Sequence, residues 1–176
     1  MRRLSPRRSR RRPARELTPP RIRAYLSRLL ARRAWSRQAL LDRLEERGIP
    51  AGEARSAVAE LAALGYLNDE RYAEAWAQAR AQRGLGARRI AEELRERGVA
   101  RALAERVARE SFDEVSEVTR ARELATRRLP ALLARGKPQA APRLRQFLLR
   151  RGFPSDVVSG VVRSLLGLTP QEPDDP

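Results

Sequence analysis

Apolar residues along this chain recur with a helical period and lead up to glycines. In three stretches, one apolar residue lies eight positions and another four positions before a glycine. The three sets are Leu40, Leu44 and Gly48; Ile90, Leu94 and Gly98; and Leu144, Leu148 and Gly152. Residues four apart share one face of an α-helix, and glycine readily takes the left-handed conformation in which many helices end. The pattern predicts three helices that each end at a glycine.

The sequence around these glycines also repeats. Arg-Gly-Ile-Pro at 47–50 recurs as Arg-Gly-Val-Ala at 97–100 and as Arg-Gly-Phe-Pro at 151–154. A further amphipathic stretch follows each string, and another precedes each predicted helix. Alternating strand patterns are absent from the sequence. We therefore predict an all-α fold of three tandem three-helix repeats, similar to helix-turn-helix units, that form an elongated, curved array.

The predicted repeats cover residues 21–67, 68–112 and 113–167. An arm at residues 1–20, with eight Arg, one Glu and four Pro, precedes them, and an acidic, Pro-rich tail at residues 168–176 follows. Neither segment has enough apolar residues to build a core. We predict that both segments are disordered.

The same patterns assign side chains to helix ends and packed faces. Ser36 is predicted to cap the second helix, Asn68 or Asp69 the fourth, and Ser155 the ninth. The third repeat is predicted to have the longest first helix, with Pro130 near its end. Side chains assigned to packed positions are Tyr66, Leu67, Tyr72, Trp76, Val118, Leu124 and Leu129.

Charge changes this picture from a plain helical protein to one with a polyanionic partner. The chain of 176 residues has 38 Lys and Arg against 22 Asp and Glu, which gives a net charge of +16. It contains no Cys and no His, so thiol chemistry, disulfides and the usual neutral-pH base are excluded. We expect a nucleic-acid partner. We expect no catalytic residues, no metal and no cofactor.

Basic residues in two places are the candidate anion contacts. The glycine-rich loop at 83–86 leads into a helix whose first turn holds two Arg. The third repeat has eleven basic and five acidic residues, the largest surplus among the repeats. The candidate DNA or anion contacts are Arg83, Arg88, Arg89, Arg143, Arg145, Arg150 and Arg151. The alternative for the loop is a plain turn with solvated Arg, and pairs such as Glu93/Arg97 and Glu105/Arg109 are expected to neutralise charge along the helices.

One segment carries a resemblance to a known family. Gly-Tyr-Leu-Asn-Asp-Glu-Arg-Tyr-Ala at 65–73 is followed by Arg83-Gly-x-Gly-x-x-Arg-Ile-x-x-Glu-Leu-x-x-x-Gly98. This order of features resembles the RecX family, regulators of the bacterial recombinase RecA. The family usually has Asp where this chain has Asn68 and Phe where it has Tyr72. The third repeat and the arm resemble the family much less specifically.

The resemblance implies a protein that regulates homologous recombination and DNA repair. Members bind the filament that RecA forms on single-stranded DNA, and they restrain its ATP hydrolysis and strand exchange. Asp69, Glu70 and Arg71 are the candidate contacts to this protein partner. We expect a cytoplasmic monomer that binds single-stranded and also duplex DNA, without membrane association. The alternative is a stand-alone basic, helical nucleic-acid-binding protein with no recombinase partner; a metal-dependent nuclease is disfavoured.

Overall fold

The computed structural model describes residues 18–112, 114–134 and 136–168, and it confirms an all-helical chain over these ranges. The helices are α1 (Pro19–Leu30), α2 (Arg37–Glu45), α3 (Ala51–Ala63), α4 (Asp69–Gln82), α5 (Ala87–Glu96), α6 (Arg101–Glu110), α7 (Glu114–Leu133), α8 (Lys137–Arg150) and α9 (Ser155–Leu166). We refer to α1–α3, α4–α6 and α7–α9 as repeats 1, 2 and 3. No strand lies in the described ranges. The predicted arm, except for its last three residues, and all of the tail beyond Leu168 lie outside them.

The chain divides into two compact units between Asn68 and Asp69. The first unit contains repeat 1, whose core is centred on buried Leu26, Leu40 and Leu44. The second unit contains repeats 2 and 3, each with a core of its own. The core of repeat 2 includes Tyr72, Ile90, Leu94 and Val107, and that of repeat 3 includes Leu144, Leu148, Phe153 and Val158.

The turn between the second and third helices has the same hydrogen bonds in every repeat. The glycines in this turn, Gly48, Gly98 and Gly152, have φ of 76°, 77° and 86°. The amide of the next residue bonds back to the carbonyl five residues earlier, at 3.1 Å for Ile49 to Leu44, 3.0 Å for Val99 to Leu94 and 3.3 Å for Phe153 to Leu148. This is the Schellman arrangement that satisfies the last carbonyls of a helix. The predicted glycine helix ends are therefore confirmed.

The predicted caps agree with the structure at two helices and differ at the third. Ser36 accepts a hydrogen bond from the amide of Ala39 at 3.2 Å, so the cap of α2 is confirmed. Helix α4 begins at Asp69, which places Asn68 at the capping position. The prediction for Ser155 is wrong, because α9 begins there and Pro154 precedes it as the N-cap residue, with no side-chain hydrogen bond.

Two predicted packed side chains are instead exposed. Tyr66 is 68% exposed, whereas its neighbour Leu67 is 2% exposed. The turn that ends α3 places successive side chains on opposite sides, so only Leu67 reaches the core of repeat 1. Val118 is 40% exposed, and the packed face of α7 is formed by buried Ala121, Ala125 and Leu132, with the predicted Leu124 and Leu129 partly buried beside them. The sequence analysis assigned packed positions to large apolar residues and therefore did not identify these alanines.

The first helix of each repeat varies most. Helix α1 begins at Pro19, two residues inside the predicted arm, because proline suits a first helical turn that needs no amide donor. Helix α7 has 20 residues against 14 in α4 and includes Pro130, which confirms a longer first helix in repeat 3. Trp76 is half-buried against the core of repeat 2, between the guanidinium groups of Arg80 and Arg97.

No helix in the described ranges combines the length and apolar character that a membrane crossing requires.

Candidate nucleic-acid interface between two repeats

Repeats 2 and 3 meet through direct contact of their backbones. The amide of Gly86, in the turn before α5, donates to the carbonyl of Arg151, in the turn after α8, at 2.8 Å. A Cβ atom on Gly86 would lie 2.5 Å from the Gly152 carbonyl oxygen, and one on Gly152 would lie 2.4 Å from the Cβ of Arg89. These distances leave no room for a side chain on either glycine. We call this contact between the two turns the junction.

Glu117 on α7 forms a second contact at the junction. Its Oε1 accepts a hydrogen bond from the amide of Ala87, the first residue of α5, at 3.1 Å. Partial burial raises the pKa of Glu117, the bond from Ala87 opposes this rise, and the charge of Asp156 adds to it. A carboxylate of the chain itself therefore occupies part of the amino-terminal end of α5, where the sequence suggested an external anion.

The junction brings five of the seven predicted anion contacts to one region, but two of the five already have partners within the protein. Arg151 donates through Nη1 to the backbone carbonyl of Arg83 at 3.1 Å. Arg89 pairs with Glu92 at 2.7 Å and with Glu93 at 3.6 Å. The positive charges of Arg89 and Arg151 are thus partly offset by contacts within the second unit.

Arg88 and Arg150 differ from these two. Both side chains are exposed, and neither forms an ion pair with any described residue. They line an open cleft at the junction, which we call the junction cleft. Its lining residues are Arg88, Arg89, Glu92, Leu149, Arg150, Gly152, Phe153 and Ser155. The cleft thus has two cationic side chains without acidic partners, contributed by different repeats.

The other predicted contacts lie outside the cleft lining. Arg83 is exposed in the turn before α5. Arg143 and Arg150 are seven residues apart on α8, so they lie on the same side, about 10 Å apart along its axis. Arg145 lies on the opposite flank of the buried stripe formed by Leu144 and Leu148, so the helix separates it from Arg143.

The acidic residues of the expected pairs within helices have their close contacts with other arginines. Glu93 pairs with Arg80 on α4, at 2.8 Å, and with Arg89, not with Arg97. Glu105 pairs with Arg101 at 2.7 Å, and this contact lowers the pKa of Glu105, with a smaller contribution from the charge of Arg109. In both cases the arginine in close contact either precedes the glutamate in its own helix or belongs to a neighbouring helix. The spacing of charges along one helix does not show which of these partners is used.

The predicted partner contacts occupy a separate place, the first turn of α4. The carboxylate of Glu70 forms an ion pair with Arg106 on α6, so it holds two helices of repeat 2 together. Asp69 is half-buried, and Arg71 is exposed. None of the three lines the junction cleft.

Sequence reasoning missed the residues that build the junction. The signal for Gly86 was the Gly84-x-Gly86 pair, which the sequence explains equally well as a turn. Glu117 carried no signal, because its partner is a backbone amide 30 residues away. Within the described ranges, no group of three or more acidic side chains is placed to hold a metal ion.

The structure thus defines a tandem three-helix repeat protein with a basic cleft where two repeats meet. Models of the second and third three-helix domains of RecX match residues 68–107 and 116–162. A regulatory protein RecX from Halorhodospira halophila is 39% identical over 137 residues, covering 78% of this chain and 83% of the relative. The corresponding protein of Streptomyces lividans is 35% identical, covering 84% and 81%. The chain belongs to the RecX family of regulatory proteins.

A solved structure gives the same fold. The crystal structure of RecX from Lactobacillus salivarius superposes with a TM-score of 0.75, covering 84% of this chain and 96% of that chain, at 20% sequence identity. At this identity the likeness supports the helical repeat fold alone.

Proposed function

We propose that this protein binds the filament of RecA on single-stranded DNA and slows its ATP hydrolysis and strand exchange. The observation that carries the proposal is membership of a family of regulatory proteins, on sequence identity over most of the chain. The basic residues of repeat 3 and the junction supply attraction to DNA phosphates, and Asp69, Glu70 and Arg71 supply contacts to the recombinase. The protein acts by occupying the filament, without catalysis of its own.

The cellular location and the oligomeric state of the protein are also part of the proposal. We propose that the protein is cytoplasmic, because a regulator of recombination must reach the recombinase on DNA. We propose that it is a monomer, with each copy occupying one binding site on the filament. Light scattering on the full chain should give a mass near 19.9 kDa, which is that of a single copy. A stable dimer would contradict this part of the proposal.

The test is a titration against the cognate recombinase on single-stranded DNA. Increasing amounts of the full chain should lower DNA-dependent ATP hydrolysis and strand exchange at substoichiometric to equimolar ratios. Absence of an effect at every ratio would contradict the proposal.

A second candidate, a stand-alone nucleic-acid-binding protein, is favoured by the charge alone. Under that alternative, any inhibition comes from competition for DNA and disappears when DNA sites are in excess. Binding would also weaken steeply with salt, by about 0.7 in log–log slope for each phosphate contacted on a single strand. Inhibition that persists in excess DNA favours the filament regulator.

A further inference from the structure

At the junction cleft, cationic groups from two repeats face one space. Its volume is about 490 Å³, within the range of sites that hold a nucleotide-sized ligand. Arg88 comes from the first turn of α5 and Arg150 is the last residue of α8. Each repeat therefore supplies one cation.

The charges around the cleft favour an anion. Glu92 is the acidic residue in its lining, and Glu92 is already paired with Arg89 at 2.7 Å. Arg88 lies in the first turn of α5, where a positive charge opposes the helix dipole, and the carboxylate of Glu117 at this helix end offsets part of that cost. Arg88 and Arg150 form no ion pair with a described residue, and the nearest other carboxylates are Glu117, which is bonded to the amide of Ala87, and Asp156.

The start of helix α9 also lies at the edge of the cleft. Ser155, the first residue of α9, lines the cleft, and the N-cap residue Pro154 provides no side-chain acceptor. The first amides of a helix have no partner within it and point towards its start. Asp156, in the same turn, is the opposing charge at this end.

The cleft also has an apolar wall. Leu149 is 44% exposed and precedes Arg150 in the lining, while Phe153 beneath is buried. A phosphate alone gains nothing from such a surface. A nucleotide with an unstacked base does, because the base or sugar can pack against the leucine side chain.

We propose that the junction cleft binds one nucleotide of a single nucleic-acid strand, with its phosphate held between Arg88 and Arg150 and its base or sugar against Leu149. This rests on the proposed action on DNA, and it names the place where the strand is held. Because the two arginines belong to different repeats, a bound strand also stabilises the junction.

The test compares two double variants of the full chain that lose the same charge. R88A/R150A empties the cleft of its unpaired cations, and R95A/R109A removes two exposed arginines of repeat 2 that do not line it. Binding of a labelled oligothymidylate of 15 nucleotides is measured by fluorescence anisotropy at several salt concentrations, without recombinase. Thermal melts followed by circular dichroism confirm that both variants fold.

We expect R88A/R150A to bind the oligonucleotide at least about tenfold more weakly than R95A/R109A, because charge-assisted contacts are lost. Its log–log salt slope should also be smaller by about 0.7, the value of one phosphate on a single strand. Equal weakening in both variants would overturn the proposal, because only net charge would then matter.

Further measurements distinguish a nucleic-acid strand from other ligands of the junction cleft. Inorganic phosphate and ATP should compete for the cleft only weakly; either one binding as tightly as the oligonucleotide would assign the cleft to free phosphates and overturn the strand proposal. Unchanged oligonucleotide binding, with loss of recombinase binding in R88A/R150A, would overturn it in favour of an acidic protein surface. A failed recombinase titration leaves this test intact, because the oligonucleotide is bound without recombinase.

Discussion

The turns at Gly48 in repeat 1 and at Gly152 in repeat 3 have the same sequence pattern, the same hydrogen bonds and similar φ. A Cβ atom on Gly48 would meet nothing within 4 Å, whereas one on Gly152 would overlap the backbone of Arg89. The turn at Gly48 ends a helix and packs Ile49 into the core of its own repeat, whereas the turn at Gly152 ends a helix and also joins two repeats. A repeated motif therefore fixes local conformation but not what the turn touches.

Charge shows the same contrast between repeats 2 and 3. In repeat 2, five acidic residues form ion pairs with arginines. In the described part of repeat 3, Arg127 forms an ion pair with Glu123 at 3.7 Å. Several arginines of repeat 2 thus pair within their own repeat, whereas Arg143, Arg145 and Arg150 of repeat 3 form no ion pair with a described residue.

Among the variants at the junction, the largest effect is expected from replacing Gly152 with alanine. A left-handed backbone costs an alanine about 1–2 kcal/mol, and overpacking typically adds about 1–3 kcal/mol. We expect G152A to lower the free energy of unfolding of the second unit by about 3 kcal/mol, measured by urea denaturation.

Two matched glycines serve as controls for this change. G48A has the left-handed backbone without the overlap, so we expect a loss of about 1 kcal/mol. G160A lies within α9 with nothing within 4 Å of the new Cβ, so it should be neutral or stabilise slightly. Equal losses for G152A and G48A would show that the junction contributes nothing.

A smaller effect is expected at Glu117. E117A leaves the amide of Ala87 without its acceptor and should cost about 1–2 kcal/mol. E117Q keeps an acceptor oxygen and should lose less. If both variants cost the same, the hydrogen bond to Ala87 is not what holds α7 to α5.

The same residue predicts a pH dependence. Because the folded-state pKa of Glu117 is raised, the folded protein keeps this proton at a pH where the unfolded chain has lost it. Its contribution to stability therefore falls as pH rises from about 4.3, the ordinary Glu value, through the raised pKa. The difference in unfolding midpoint between E117Q and the wild type should shift in favour of E117Q over this window. A constant difference would contradict the raised pKa.

A still smaller, local effect is expected in repeat 1. S36A removes the cap of α2 and should cost about 1 kcal/mol. Hydrogen exchange should show the loss in α2, with the amide of Gly86 at the junction as well protected as before. Loss of protection at Gly86 would show that repeat 1 and the junction are coupled.

The smallest effect is expected at Tyr66, whose side chain is mostly exposed. Y66A should change the free energy of unfolding by less than about 0.5 kcal/mol, because little surface leaves water there on folding. The matched control L67A removes a side chain that is 2% exposed and should cost about 2–5 kcal/mol. Similar losses would place Tyr66 in the core after all.

These comparisons separate what local sequence determines from what it does not. Glycine spacing and the apolar stripe at Leu40 and Leu44 predicted helices, turns and cores, because those depend on neighbours within about one helical turn. The junction was not predictable, because Gly86 meets Arg151 and Ala87 meets Glu117 across 65 and 30 residues. The candidate arginines were found as a set, but their division into structural and available charges required the partners of each.

The central proposal is that the protein slows the recombinase filament and that basic residues of the junction contribute the contacts to DNA. Its most direct test is DNA-dependent ATP hydrolysis by the cognate recombinase. The wild type, R88A/R150A and R95A/R109A are titrated under identical conditions with DNA sites in excess. We predict that the wild type and R95A/R109A inhibit at similar ratios, whereas R88A/R150A requires about tenfold more protein. Equal inhibition by all three proteins would contradict the claim.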